Sequence, residues 1–218
     1  MVNRFSPLIL ALAALSACQQ TAAPRAMDSD ATAVTTPDGV MTCSIPHMPD
    51  ADPVQRQASP DGSGAIVATG AFGELYRAEY MRIPPEQIDN FRGERQKAGV
   101  KDAFTHYVLP LFQSVSPDTQ VLAEEYTQLN NQPAYFAVVT IPGGSPAVSR
   151  DGNGTIKRAD STRAILVFVS GDCLVVTMHG LSVLGFDPAT TQNGQLDPHV
   201  KSALQNQIIS FAATVHIK

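Results

Sequence analysis

The stretch PAYFAVVTIPGG, Pro133–Gly144, decides the fold. Aromatic and β-branched residues fill it, the types that pack best on a pleated sheet surface, and Pro-Gly-Gly closes it, so Ala134–Ile141 is expected as a strand. Two further apolar runs, Thr162–Ser170 and Cys173–Gly180, flank the short connection Ser170-Gly171-Asp172 and read as the two arms of a hairpin. Runs this continuously apolar belong to central strands, which need a second layer to cover them.

Upstream, the turn at Pro60-Asp61-Gly62 precedes two expected strands, Ala65–Thr69 and Glu74–Ile83, joined around Gly70–Gly73. The two-residue period of a strand puts Tyr76, Ala78 and Tyr80 on one face and Arg77 and Glu79 on the other. A further strand is expected from Gln120 to the Asn130-Asn131 turn. Between Glu94 and Gln113, the spacing of Val100, Ala103, Phe104, Tyr107, Val108 and Leu111 is that of an amphipathic helix, which Pro110 should kink or stop near Val108. At the end of the chain Asp197 is an N-cap, Pro198 suits a first turn, and Val200, Ala203, Leu204, Gln207, Ile208 and Phe211 form one stripe. The expected fold is α+β: an antiparallel sheet packed against a middle helix and a C-terminal helix, in a single domain over 42–218. No Gly-rich strand-to-helix turn supports a nucleotide-binding parallel sheet. This order of elements loosely resembles the PsbP/Mog1-like group over about Cys43–Phe211, a resemblance of pattern without a diagnostic residue motif. It implies a fold and leaves the activity open.

The chain starts with a basic residue, Arg4, and an apolar run, Phe5–Ala17, well short of the about 20 residues that span a bilayer, so it reads as a targeting signal. The run closes on Leu15-Ser16-Ala17-Cys18, which resembles the lipobox of bacterial lipoproteins. The resemblance implies that 1–17 is a signal peptide removed before Cys18. It implies too that Cys18 carries a thioether-linked diacylglycerol and that its new amino group is acylated. Two or three acyl chains anchor far more firmly than one, at about 0.8 kcal/mol per buried methylene. Gln19, where an inner-membrane retention signal often has Asp, points by the same resemblance to the outer membrane, facing the periplasm. Residues 18–41 then form the lipidated N-terminus and a flexible tether, rich in Ala, Thr, Asp and Pro and lacking an apolar period.

The chain has 15 Lys plus Arg against 20 Asp plus Glu, net −5, and loss of Arg4 with the signal leaves the exported protein more negative by a single charge. That balance, without basic clusters interleaved with aromatics, argues against nucleic acid as a partner. The expected partners are the membrane, through the lipid, and an envelope protein. Besides Cys18 the chain has Cys43 and Cys173, an even pair in a compartment where disulfides persist, and a bond between them is expected. Closing so long a loop stabilises by about 5 kcal/mol in the chain-entropy account.

The segment Ser149–Asp160, SRDGNGTIKRAD, resembles an EF-hand calcium loop, with Asp151, Asn153, Thr155 and Asp160 at ligand places and Gly154 at the central turn. It departs from that pattern at Ser149, at Lys157 and at Asp160, which stands where the bidentate Glu belongs. A poor helix former precedes it, so the Asp-Gly and Asn-Gly pairs read more simply as a turn between strands. No metal site is expected, nor any cofactor. The histidines include no close H-x-x-x-H pair; His47 and His199 sit near segment boundaries, His106 flanks the middle helix and His179 ends a strand. Ser170, Asp172 and His179 are near in sequence but lack a nucleophile elbow, and Glu124 and Glu125 should point to opposite faces of a strand.

No catalytic constellation results, and the reading leans away from an enzyme. A noncatalytic accessory or protein-interaction module of the envelope is expected. The alternative is a small-ligand-binding lipoprotein with a cleft between sheet and middle helix, lined by Tyr76, Tyr80 and Tyr107, with Tyr135 as a further candidate.

Overall fold

A computed structural model describes residues 30–71, 73–144, 148–150, 156–158, 160–180, 191–192 and 195–218. The lipobox lies outside them, as do Asp151, Asn153 and Thr155. In chain order the strands are β1 Thr32–Thr35, β2 Met41–Ile45, β3 Gln55–Ser59, β4 Ser63–Thr69, β5 Leu75–Arg82, β6 Gln120–Leu129, β7 Gln132–Ile141, β8 Val148–Arg150, β9 Ile156–Arg158, β10 Ser161–Ser170, β11 Cys173–Gly180, β12 Thr191–Gln192, β13 Gln195–Leu196 and β14 His216–Ile217. Two 3-10 turns, Pro85–Phe91 and Gly93–Arg95, lead into α1, Gln96–Ala103; a π turn, Phe104–Val108, joins it to α2, Leu109–Val115; α3 is Pro198–Ala212.

The molecule is α+β, as expected, around a seven-stranded antiparallel sheet in the order β3-β4-β5-β11-β10-β7-β6. The three apolar runs of the sequence occupy its middle. Because side chains alternate, each central strand feeds two cores. Phe136, Val138, Leu166 and Val175 face α3 and the small sheet β1-β2-β14, where Met41, Leu204, Ile208 and Phe211 meet them. Tyr135, Ala137, Val139, Ile165 and Val167 face the middle helix and pack against Val100, Ala103, Phe104 and Val108. Both faces being covered explains why these strands read as unbroken apolar runs.

The turns follow their residues. Asn130 and Asn131 both take positive φ, 50° and 63°, and join Leu129 to its partner Gln132 by the two-residue turn that matches strand twist. Gly171, at φ 61°, opens the β10–β11 turn. At α3 the Asp197 carboxylate accepts hydrogen bonds from the His199 and Val200 amides, at 2.8 and 3.3 Å, the cap its sequence position implied.

The middle helix does not stop at Pro110. It widens into the π turn, where the Leu109 amide donates to the Phe104 carbonyl five residues back, and resumes through Val115. A proline lacks an amide hydrogen and its ring crowds the carbonyl four residues earlier. The wider turn moves that carbonyl aside and leaves Pro110 in the first turn of α2, where no amide is missed. The folded domain also begins earlier than 42. Thr32–Thr35, expected within the tether, is strand β1 paired with β2, and Asp38 accepts a hydrogen bond from the Tyr80 hydroxyl.

Candidate functional site

The middle helix covers only part of its sheet face. The buried residues of α1 and the π turn sit over β7 and β10, whereas α2 buries none of its own and runs out beside the rest. Between α2 and the uncovered strands lies a groove of about 510 Å³. Its floor is apolar: Leu174, Val176 and Met178 alternate along β11, with Met81 and Glu79 from β5 beside them. Tyr107, Val108 and Leu111 form one wall, and Gln57 and Ser59 of β3, in register with Ala65 and Ser63, form the other.

The wall is unusual for its exposure. Tyr107, Leu111 and Val115 repeat every four residues and so share one helix face; they stand 52, 65 and 85% exposed, and Met81 across the groove is 45% exposed. The expected stripe of the middle helix thus splits. Val100, Ala103, Phe104 and Val108 are buried, while Tyr107 and Leu111 face water. The sheet continues to β3, an edge strand exposed at every residue. Its outer backbone edge has no partner strand among the described residues. A smaller recess of about 400 Å³, lined by Asn90, Phe91, Arg95, Asp102 and His106, lies at the start of the helix.

The tyrosines do not line one cleft. The Tyr76 ring packs on His179 (centroids 4.6 Å apart) and edge-on to Phe211 (5.2 Å), on the α3 side of the sheet. Tyr80 is buried on that same side, and burial together with the Asp38 carboxylate pushes its phenol up to about 12. Tyr135 is buried under the middle helix. The expected pairing of Tyr76 and Tyr80 on one face is right, but α3 covers that face, so of the proposed trio Tyr107 alone presents its side chain to the groove between sheet and middle helix.

The other sequence candidates are dispersed. Ser170 and Asp172 are at one end of the β10–β11 hairpin, and His179 is near the other end of β11, about 20 Å away at strand rise. Asp172 pairs with Arg82 at 2.8 Å, while the His179 Nδ1 lies 3.3 Å from the Leu75 carbonyl. Burial holds the His179 imidazole below its usual range. Glu124 and Glu125 do point to opposite faces: Glu124 lies 3.9 Å from Lys101 of α1, and Glu125 pairs with Lys201 of α3. The calcium-loop segment is entered from strand β8 and left through β9, with Ser149 opposite Lys157. Asp160 is exposed and accepts a hydrogen bond from the Gly143 amide at 3.0 Å. His47, His106 and His199 are exposed. Among the described residues no three of His, Cys, Asp and Glu cluster as metal ligands.

The bond expected between Cys43 and Cys173 is not made in this structure. Both are free thiols, each fully buried in the core beneath α3. Burial pushes Cys43 up to about 12; burial, the Asp172 hydrogen bond and its charge push Cys173 up to about 11. Thiols so protonated are poor nucleophiles. Alkylation of the unreduced protein is therefore expected to add nothing at these positions in the native state and one group at each after denaturation, read by peptide mass. Two unmodified cysteines after denaturation would put a disulfide in their place.

No protein-family model matches the chain, and no curated protein matches it in sequence. Solved structures do. The Ran-binding protein Mog1p of Saccharomyces cerevisiae superposes at a TM-score of 0.50 with 13% identity, over 88% of this chain and 96% of its own. The cyanobacterial PsbP (CyanoP) of Synechocystis sp. PCC 6803 superposes at 0.50 with 11% identity, over 94% of this chain and 99% of its own. The fold is therefore Mog1/PsbP-like. At such identity the likeness concerns architecture and carries no site residue across.

Proposed function

We propose that this chain is a lipid-anchored protein of the bacterial envelope whose domain is a noncatalytic interaction module, docking an extended segment of a partner protein in the groove beside α2. The exposed Tyr107 and Leu111 beside an apolar floor carry the reading, because contiguous exposed apolar surface of this kind marks binding sites. The bare edge of β3 favours an extended occupant: a segment adding to that edge gains backbone hydrogen bonds while alternate side chains enter the groove. A photoreactive residue placed at Leu111, and separately at Ser59, is expected to crosslink to one short segment of the same protein, with none from Asn206 on the exposed side of α3. Crosslinks equal from all three positions, or mapping to this chain itself, would reject it.

The groove volume gives a second reading some ground, since about 300–1,000 Å³ is the range of small-ligand sites. On that reading the same photoprobes would capture a small molecule and no protein.

Anchoring rests on the LSAC box, Leu15–Cys18. Protein extracted from the outer membrane is expected to lack residues 1–17 and to carry diacylglyceryl and acyl groups on Cys18, by intact mass. Cys18→Ser should abolish the lipid and leave the protein without its membrane attachment. A mature protein with an unmodified Cys18 sulfur would remove the membrane from the account.

A further inference from the structure

Two arginines face the middle-helix side of the sheet next to the groove. Arg77 on β5 is opposite Met178, and Arg163 on β10 is opposite Gly180, so they flank β11 from its two sides. Strand spacing alone would set their backbones about 10 Å apart. The Arg163 side chain closes that gap by lying across Gly180: a Cβ there would meet its Nη1 at 2.2 Å and its Cζ at 3.0 Å. Glycine at this position lets the guanidinium lie there; a Cβ would push it aside.

Among the described residues, the ion pair made by these two arginines is that of Arg77 with Glu79. Glu79 accepts from Arg77 Nη2. Among the described residues Arg77 Nε and Arg163 Nη1 are buried with no hydrogen-bond partner. Burial, and after it the neighbouring Arg77 charge, hold the Arg163 guanidinium below its usual range. A buried cationic N–H without an acceptor is costly, and two beside one another more so. The Arg77 side chain as a whole is 39% exposed, although its Nε is buried.

We propose that Arg77 and Arg163, with Gly180 as cradle, form a binding site for an oxyanion, the carboxylate or phosphate group of a ligand. An oxyanion supplies several acceptor lone pairs in the geometry that guanidinium forks match, and its charge offsets the repulsion between them. The site goes beyond the docking groove, sharing only the neighbourhood of Glu79 and Met178 with it.

The test is thermal unfolding of the whole protein at constant ionic strength in sodium phosphate, sodium malonate or sodium chloride. Phosphate, malonate or both are expected to raise the melting temperature by about 3–5 °C over chloride once the anion is at about ten times its Kd. A rise with one anion alone names the group as phosphate or carboxylate. Arg163→Gln is expected to abolish the rise. Arg163→Lys, which keeps charge but loses the fork, and Arg77→Gln at a partly exposed position guard against a variant that fails to fold; each should weaken binding by about tenfold. No rise over chloride with either anion, or a rise unchanged in all three variants, overturns the site.

Discussion

Lysine in place of Leu111 is expected to weaken binding of the crosslinked partner segment by about 30-fold or more while leaving the melting temperature almost unchanged. The side chain is 65% exposed, and substitutions at such positions usually stay within about 0.5 kcal/mol of the parent. For the partner the same change is severe: a charge stands where an apolar side chain would be desolvated, and central anchors of an interface contribute about 2 kcal/mol or more, which is about 30-fold. Fluorescence anisotropy with the labelled segment measures it, with Asn206→Lys as control. Equal affinity in the two variants would take the helix wall out of the binding site.

Phe211→Ala is expected to destabilise the fold by about 3–5 kcal/mol, the range for emptying a buried aromatic site. Phe211 is 1% exposed and sits edge-on to Tyr76, which in turn packs against His179. Truncation therefore opens a cavity where α3 meets the sheet and removes the support of a buried imidazole. Urea unfolding should show a lower midpoint at an unchanged slope. A loss under about 1 kcal/mol would mean that α3 does not close the sheet as described. The contrast with Leu111 is one of environment rather than of residue size, since both are large apolar side chains on helices.

The helices show why neighbouring features of one sequence differ in legibility. The N-cap of α3 was readable because Asp197 acts on amides two and three residues away, a purely local interaction. Pro110 was readable as a disturbance but not as its outcome. A lone helix would break there, whereas this one is held on the sheet by Val100, Ala103, Phe104 and Val108, so a wider turn costs less than losing that packing. Strand β1 was missed because its four residues, Thr-Ala-Val-Thr, lack an apolar run; pairing with β2 makes it a strand. Strand β3 was missed for the same reason, being Gln-Arg-Gln-Ala-Ser and exposed throughout.

The groove lay deeper still. Tyr107 and Leu111 carry the same periodicity as Val108 and Phe104, and nothing along the chain distinguishes a stripe residue that meets the sheet from one that overhangs it. The Arg77 and Arg163 pair was equally hidden, since the two are far apart in sequence and only the order β5-β11-β10 sets them on either side of Gly180.

By itself the sequence determined the central strands, the two hairpin turns, the helix starts and the α+β class, because each rests on alternation, turn chemistry or capping within a few residues. Only the tertiary structure decided which face each helix covers, where the middle helix runs past the sheet, and which distant side chains meet. Those outcomes depend on strand order and on the finite length of a helix laid over a wider sheet, and neither is written in any local pattern.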